Sequence, residues 1–341
     1  MNTTNNNGVA SLKTLVDAVR YFSDLDKAHA YLVGLRWPHG VCCPRCGTTH
    51  VSFIQTRRIW KCLDCAGHRQ FSAKVGTIME ESPMGLDKWM AAIWLEANSK
   101  NSISSYELHR ALGITQKSAW FMLHRIRHAL HVESFDKKLS GIVEVDETYV
   151  GGLAGNMHKR QRKARITSNG VAGKTPVMGL LERHDGKKHS TVRAQVVTNR
   201  KSATLHPVIH KHVEPGTQLY TDSLAGYRGL RPTFMHDFVD HAEAYVKDKV
   251  IHTNGLENFW ALFKRCIKGT HVSIEPAHLE AYVDSEAFRF NNREVKDRDR
   301  FLLALQGISG KRLTYKSLIG KLPLEGYPGA DNDAENESMA N

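Results

Sequence analysis

GIVEVDETYVGG, residues 141–152, is β-rich from Ile142 to Val150 and stops at the pair Gly151 and Gly152. Such a segment ended by glycines reads as a strand. Asp146 lies inside it, an expensive place for a carboxylate unless it is paired or binds a cation. Glu144 shares a face with Asp146 by the period of two, and Glu147 lies on the other face, so the strand alone does not identify the reactive acid.

Downstream, residues 153–174 (LAGNMHKRQRKARITSNGVAGK) read as a polar, basic insertion, expected to be mobile until a partner arrives. Strands follow at 175–182 and 189–198 around the turn HDGKK, so the first three strands should form an antiparallel meander. A helix is expected over 201–213, and a fourth strand, QLYTDS (218–223), ends in Asp222. The row His206, His210 and His212 has the look of a metal site, but on a polar helix a solvated face is the better reading.

HTNGLENFWALFKRCIKG (252–269) starts as a loop and becomes a helix, with Gly269 expected at its stop. On a helical wheel Lys264 and Lys268 fall within about 20° of Glu257, while Phe259, Leu262, Phe263, Cys266 and Ile267 gather on the far side. A carboxylate in the first strand, another at the end of the fourth and a third on a later helix, in β-β-β-α-β order, is the layout of a ribonuclease-H-like phosphoryl transferase. In such enzymes the acids meet at one sheet edge and hold two divalent metals about 3.5–4 Å apart. A further helix is expected within 271–293 and an apolar one near 299–307; the closing stretch PLEGYPGADNDAENESMAN (323–341), rich in acids and without Lys or Arg, reads as a disordered tail.

Upstream, residues 83–131 read as three helices. Ser104 or Ser105 can start the second, Gly113 makes the turn and Thr115 can cap the third, the punctuation of a helix-turn-helix. The last helix carries Gln116, Lys117, Ser118, His124, Arg125, Arg127 and His128 around the apolar stripe Ala119, Met122, Leu123 and Ile126, the composition of a major-groove reader. Earlier still, Cys43-x2-Cys46 and Cys62-x2-Cys65 supply four thiolates at the spacing of one tetrahedral zinc, with strands expected at 51–55 and 59–62, a zinc ribbon. Before the ribbon, residues 11–35 read as two helices, with Ser23 and Asp24 placed to cap the second.

The 341 residues carry 47 Lys+Arg against 35 Asp+Glu, a net charge of +12. That balance favours a polyanionic partner and salt-sensitive binding. No run of eighteen apolar residues occurs, and MNTTNNNGVA reads as a polar tail, so a soluble, intracellular protein with no membrane partner is expected.

VEVDETYVGG (143–152), YTDSLAGY (220–227) and HTNGLENFW with KR following (252–265), downstream of CPRCG and the WKC-x2-C knuckle, closely resemble the bacterial insertion-sequence transposases with a zinc ribbon and an ISXO-like DDE domain. The resemblance spans residues from about 15 to 295. It implies cleavage and strand-transfer chemistry on the terminal inverted repeats of an insertion sequence. By position Asp146 and Asp222 match the first two family acids, Glu257 the third, and Lys264 the basic residue after it. Some members carry asparagine at the third position, and Asn254 lies one turn before Glu257; the spacing to Lys264 favours Glu257. The implied cofactors are structural Zn²⁺ and two catalytic ions, Mg²⁺ or Mn²⁺, on Asp146, Asp222 and Glu257. The implied partners are double-stranded DNA, both ends and target, and further copies of this chain, at least a dimer on DNA. Lys264, Arg265 and Lys268 join Gln116, Lys117, Ser118 and Arg125 as expected DNA contacts, in a cytoplasmic, nucleoid-associated protein.

The expected fold is α+β multidomain. An N-terminal helical element (11–40) leads to the zinc ribbon (41–80) and the helix-turn-helix (83–135). A ribonuclease-H-like catalytic domain with a mixed five-stranded sheet (140–295), a helical extension (296–320) and an acidic tail (322–341) complete it. A DNA-binding regulator with an inactive transposase-derived domain is the competing reading; a ribonuclease or junction resolvase would share the acids but has no need of the ribbon and helix-turn-helix.

Overall fold

The computed structural model describes residues 12–67, 69–131, 137–151, 158–160, 173–184, 186, 189–239 and 251–321. Most of the basic insertion read at 153–174 and the whole acidic tail lie outside the described residues. The chain divides into two compact units, one formed by Met1–Leu130 with Glu294–Asn341, the other by His131–Arg293.

In the first unit, α1 (Leu15–Phe22) begins in a capping box between Thr14 and Asp17. The Asp24 carboxylate caps α2 (Leu25–Arg36) by accepting from the amides of Asp26 and Lys27, which satisfies donors the helix cannot. The ribbon is a three-stranded antiparallel sheet of β1 (Val51–Ile54), β2 (Ile59–Cys62) and β3 (Gln70–Ser72). β3 was not read from the sequence; three residues carry too little periodicity. Tertiary packing makes it a strand, with Phe71 stacked on Trp60 at 5.8 Å and Trp37 edge-on to both.

α3 (Leu86–Asn98) is buried nearly all round, through Trp89, Met90, Ile93, Trp94 and Ala97. α4 (Ser105–Leu112) starts in a capping box between Ser104 and Glu107 and ends at Gly113, whose φ of 59° suits a residue without a side chain. Thr115 then accepts from the Ser118 amide at 3.1 Å and opens α5 (Gln116–Leu130).

The basic outer face expected of α5 is corrected. Lys117 is exposed at its start and Gln116 and Ser118 are half-buried, but His124, Arg125, Arg127 and His128 are buried. The Arg125 guanidinium donates to the carbonyls of Leu313 (3.0 Å) and Glu80 (2.8 Å) and lies over the Phe121 ring, so this side chain is not a groove reader. Arg127 pairs with Glu96 at 3.0 Å where both side chains are almost wholly shielded. Ser102 also donates to Glu96, giving the buried charges the hydrogen bonds that burial demands.

The second unit runs β4 (Ile142–Val150), β5 (Thr175–Glu182), β6 (Thr191–Val196), α6 (Ser202–His212), β7 (Gln218–Asp222), β8 (Met235–Val239), α7 (Asn254–Cys266) and α8 (Leu279–Asn291). The sheet order is β6-β5-β4-β7-β8. β4, β5 and β6 form the expected antiparallel meander, and β7 and β8 add in parallel. The position of β8, MHDFV, was not legible because its polar residues break the alternation.

Period two in β4 divides the core. Val143 and Val145 pack with Leu205 and Ile209 of α6 on one face. Leu256, Phe259, Trp260 and Phe263 of α7 and Val283 of α8 pack against Val177, Leu181 and Val192 on the other. The Asn291 side chain accepts from the Val192 amide (2.7 Å) and donates to its carbonyl (2.9 Å), so α8 occupies the backbone of the edge strand β6. Gly269 does not stop α7: the helix passes at Cys266 into a π-turn, Ile267–His271, that contains it and ends at Val272, whose φ is 63°.

α9 (Asp297–Gln306) and α10 (Tyr315–Leu318) return to the first unit. Phe301 packs against Phe22 and Trp94 at 5.9 and 5.2 Å. A side chain at Gly307 would meet the Ala129 carbonyl at 2.1 Å, so glycine is what lets this connection approach α5. Among the described residues no helix is long and apolar enough to cross a membrane.

Candidate functional site

β4 and β7 run in parallel with Ile142, Val143 and Glu144 opposite Gln218, Leu219 and Tyr220. Continuing that register by two residues brings Asp146 level with Asp222, past the last paired residues of the two strands. There the carboxylate oxygens of Asp146, Glu147 and Asp222 lie within 4.8 Å of one another.

Each acid is held by a different part of the fold. Asp146 accepts the Trp260 indole N–H of α7 at 3.0 Å. The buried Tyr227 hydroxyl donates to Glu147. Asp222 folds back to accept from the Leu224 amide at 3.0 Å. Glu144, which shares a face with Asp146, does something else: it accepts from Arg183 (2.7 Å) and from the Leu256 amide (2.9 Å) and so ties the start of α7 to the sheet.

Burial, together with the charge of Asp222, raises the Asp146 pKa to about 6, and Glu257 adds to the rise. Burial likewise raises Glu147 to about 7, with Asp222 and Asp146 adding to it against the Tyr227 hydrogen bond. Acids raised in the fold favour folding at low pH: the contribution is complete below the ordinary carboxylate range and is lost as pH rises through about 6 to 7. Three crowded oxygens whose charges oppose one another fit a hard divalent cation, which would relieve that repulsion.

Glu257, in the first turn of α7, is exposed, acts on Asp146 through space and is outside the three-acid cluster. Asn254 is exposed at the first position of the same helix. Lys264 and Arg265 on α7 and Lys268 in the π-turn are exposed as well. In the histidine row, His212 is buried rather than solvated, and burial beside Arg193 lowers its pKa to about 4.

Gly179 sits opposite Asp146 in the β4–β5 ladder. A Cβ there would stand 2.6 Å from the Trp260 ring and 2.8 Å from Leu256. Gly179→Ala should therefore push the indole off Asp146 and destabilise the protein by about 1–3 kcal/mol, the usual cost of overpacking. Thermal unfolding checks this; an unchanged melting temperature would show that α7 shifts freely.

In the first unit Cys43, Cys46, Cys62 and Cys65 form a second cluster, with sulfur separations of 3.4 Å (Cys46–Cys65), 3.6 Å (Cys46–Cys62) and 3.9 Å (Cys43–Cys65). A tetrahedron of zinc–sulfur bonds of about 2.3 Å has edges of about 3.8 Å, so the four thiols fit one zinc ion.

A ribonuclease-H-like sheet with carboxylates meeting between its first and fourth strands, carried in one chain with a four-cysteine ribbon, defines the class of DDE transposases. Residues 138–291 match the ISXO2-like transposase domain, and residues 23–68 match the transposase zinc-ribbon domain. The chain belongs to this zinc-ribbon, ISXO2-like transposase family. It is 26% identical over 293 residues to an uncharacterized protein in transposable element ISH50 of Halobacterium salinarum, covering 81% of this chain and 96% of that one. It is 34% identical over 111 residues to an uncharacterized transposase-like protein of Haemophilus influenzae, covering 32% of this chain and 89% of the relative.

Proposed function

We propose that the protein binds the terminal inverted repeats of its insertion sequence and catalyses metal-dependent strand cleavage and strand transfer. The meeting of Asp146, Glu147 and Asp222 carries the reading, because acids this close in a half-buried site repel one another unless a cation joins them. Asp146 and Asp222 would hold the two ions, Mg²⁺ or Mn²⁺, with Glu257 as the third acid by its family position. When bound, the ions activate a water or a DNA 3′-hydroxyl and stabilise the leaving oxygen of an in-line displacement.

The chain's own groups prepare that site. Trp260 fixes one Asp146 oxygen, which would orient the carboxylate for ligation. Tyr227 holds Glu147 beside the pair, adding negative charge that tightens cation binding. The exposed side chains of Lys264, Arg265 and Lys268 would line the DNA backbone, and Asn254 would hydrogen-bond the strand near the scissile bond. The ribbon and the helix-turn-helix of α4 and α5, with Gln116, Lys117 and Ser118 at the start of α5, would address the end sequence. Pairing two ends calls for at least a dimer on DNA, working in the cytoplasm at the nucleoid.

The test is cleavage of a duplex carrying the element's own end by the purified protein with Mg²⁺. Cleavage that stops with EDTA and returns with Mn²⁺ is the expected result. Specific end binding without cutting would reduce the protein to a DNA-binding regulator.

A further inference from the structure

The chain downstream of α9 is built onto the helix-turn-helix. Lys311 donates to the carbonyls of His128 (3.1 Å) and Ala129 (3.4 Å) at the end of α5. The Leu313 carbonyl takes the Arg125 guanidinium, and Leu313 and Leu318 are buried. Tyr315 meets Phe121 edge-to-face at 5.8 Å, and the Lys117 ammonium stands 5.2 Å over the Tyr315 ring. This segment therefore covers the middle of α5 and reaches its first turn, where the reading residues Gln116, Lys117 and Ser118 lie.

Its outer side is cationic and aromatic. Tyr315 is 40% exposed. Lys316 and Lys321 are exposed. The Lys321 amide donates to the Lys316 carbonyl at 2.8 Å, which holds the two lysines one turn apart. Arg312 is already committed to Glu81 at 2.9 Å and does not count toward the surface. A buried apolar stem that presents lysines beside the first turn of a groove-reading helix suits contacts to a phosphate backbone, which position a reader without reading bases themselves.

We propose that Lys316 and Lys321, seated by the packing of Tyr315 on Phe121, continue the DNA-binding face of the helix-turn-helix and grip the phosphate backbone of duplex DNA beside Lys117. This rests on the DNA-directed function proposed above and adds to it a contact region in the C-terminal part of the chain. The buried half explains why an arginine expected to read DNA, Arg125, is spent instead on holding this segment.

The experiment is binding of the full-length, zinc-loaded protein to an end duplex and to an unrelated duplex of equal length, across a salt series. Lys316→Gln with Lys321→Gln removes two exposed charges and leaves Leu313 and Leu318 in place, so thermal unfolding should not move. The expected result is about tenfold weaker binding of both duplexes near physiological salt, with the slope of log Kd against log salt reduced by about 2, near 0.9 per lost phosphate contact. Tyr315→Phe keeps the packing on Phe121 and should bind like the unaltered protein, whereas Tyr315→Ala should weaken binding. An unchanged salt slope in the double variant, with the unaltered protein binding its end normally, overturns the proposal. If the unaltered protein fails to bind DNA at all, the proposed function falls instead.

Discussion

Asp222→Asn should lower cleavage of the end duplex by at least about 10³-fold, a transition-state loss of about 4 kcal/mol, while leaving end binding intact. The substitution keeps the size of the side chain and its acceptor for the Leu224 amide, so the turn after β7 should survive. What it removes is one of the three charges gathered with Asp146 and Glu147. Asp146→Asn should match it.

The third acid is decided by the same assay. Glu257→Gln is expected to fall as far as Asp222→Asn if Glu257 is the third acid, as proposed, a role its charge reaching Asp146 favours. A Glu257→Gln protein that still cuts, beside an inactive Glu147→Gln or Asn254→Ala, would transfer the role to that residue. A second readout needs no cleavage: Mg²⁺ should raise the melting temperature of the unaltered protein and not of Asp222→Asn, since a ligand stabilises only the state that binds it. The gain should be larger at pH 8 than at pH 5, because Asp146 and Glu147, raised to about 6 and about 7, are protonated at the lower pH and ionised at the higher.

Removing zinc is expected to unfold the ribbon. β1, β2 and β3 hold eleven residues between them and bury chiefly Trp60 and Phe71 around the wholly buried Cys62. A core so small depends on its metal, and binding of a structural zinc supplies about 10–16 kcal/mol of folding free energy in isolated fingers. Cys62→Ser, or a strong chelator, should abolish the near-ultraviolet signal of Trp37 and Trp60, and zinc should restore it to the chelated protein but not to the variant. Retention of that signal in the metal-free protein would mean that the aromatic cluster folds unaided. End binding should fail together with the ribbon if the ribbon helps to address the DNA.

The features legible in the sequence are those set by short-range geometry. Two CxxC knuckles place four thiols on turns, and Asp24, Ser104, Gly113 and Thr115 punctuate helices because their side chains, or the lack of one, suit the ends of a helix. β4 and the meander after it followed from strand patterning and turn chemistry. The strands that escaped reading, β3 and β8, are short and mixed in composition, and pairing with a neighbour makes them strands.

Charge was misread for the same reason. His124, Arg125, Arg127 and His128 have the composition of a wet helix face, yet Glu96 lies 31 residues before Arg127 and Leu313 lies 188 residues after Arg125. Only the folded chain shows such partners. The acids divide likewise. The sequence by itself determined the transposase family and singled out Cys43, Cys46, Cys62 and Cys65 as one cluster and Asp146 and Asp222 as neighbouring acids, since each rests on spacing or on position within a local element. The tertiary structure alone decided that Glu144 anchors α7, that Glu147 joins Asp146 and Asp222, and that Trp260 holds Asp146, because these depend on which strand lies beside which and on how closely Gly179 lets a helix approach the sheet.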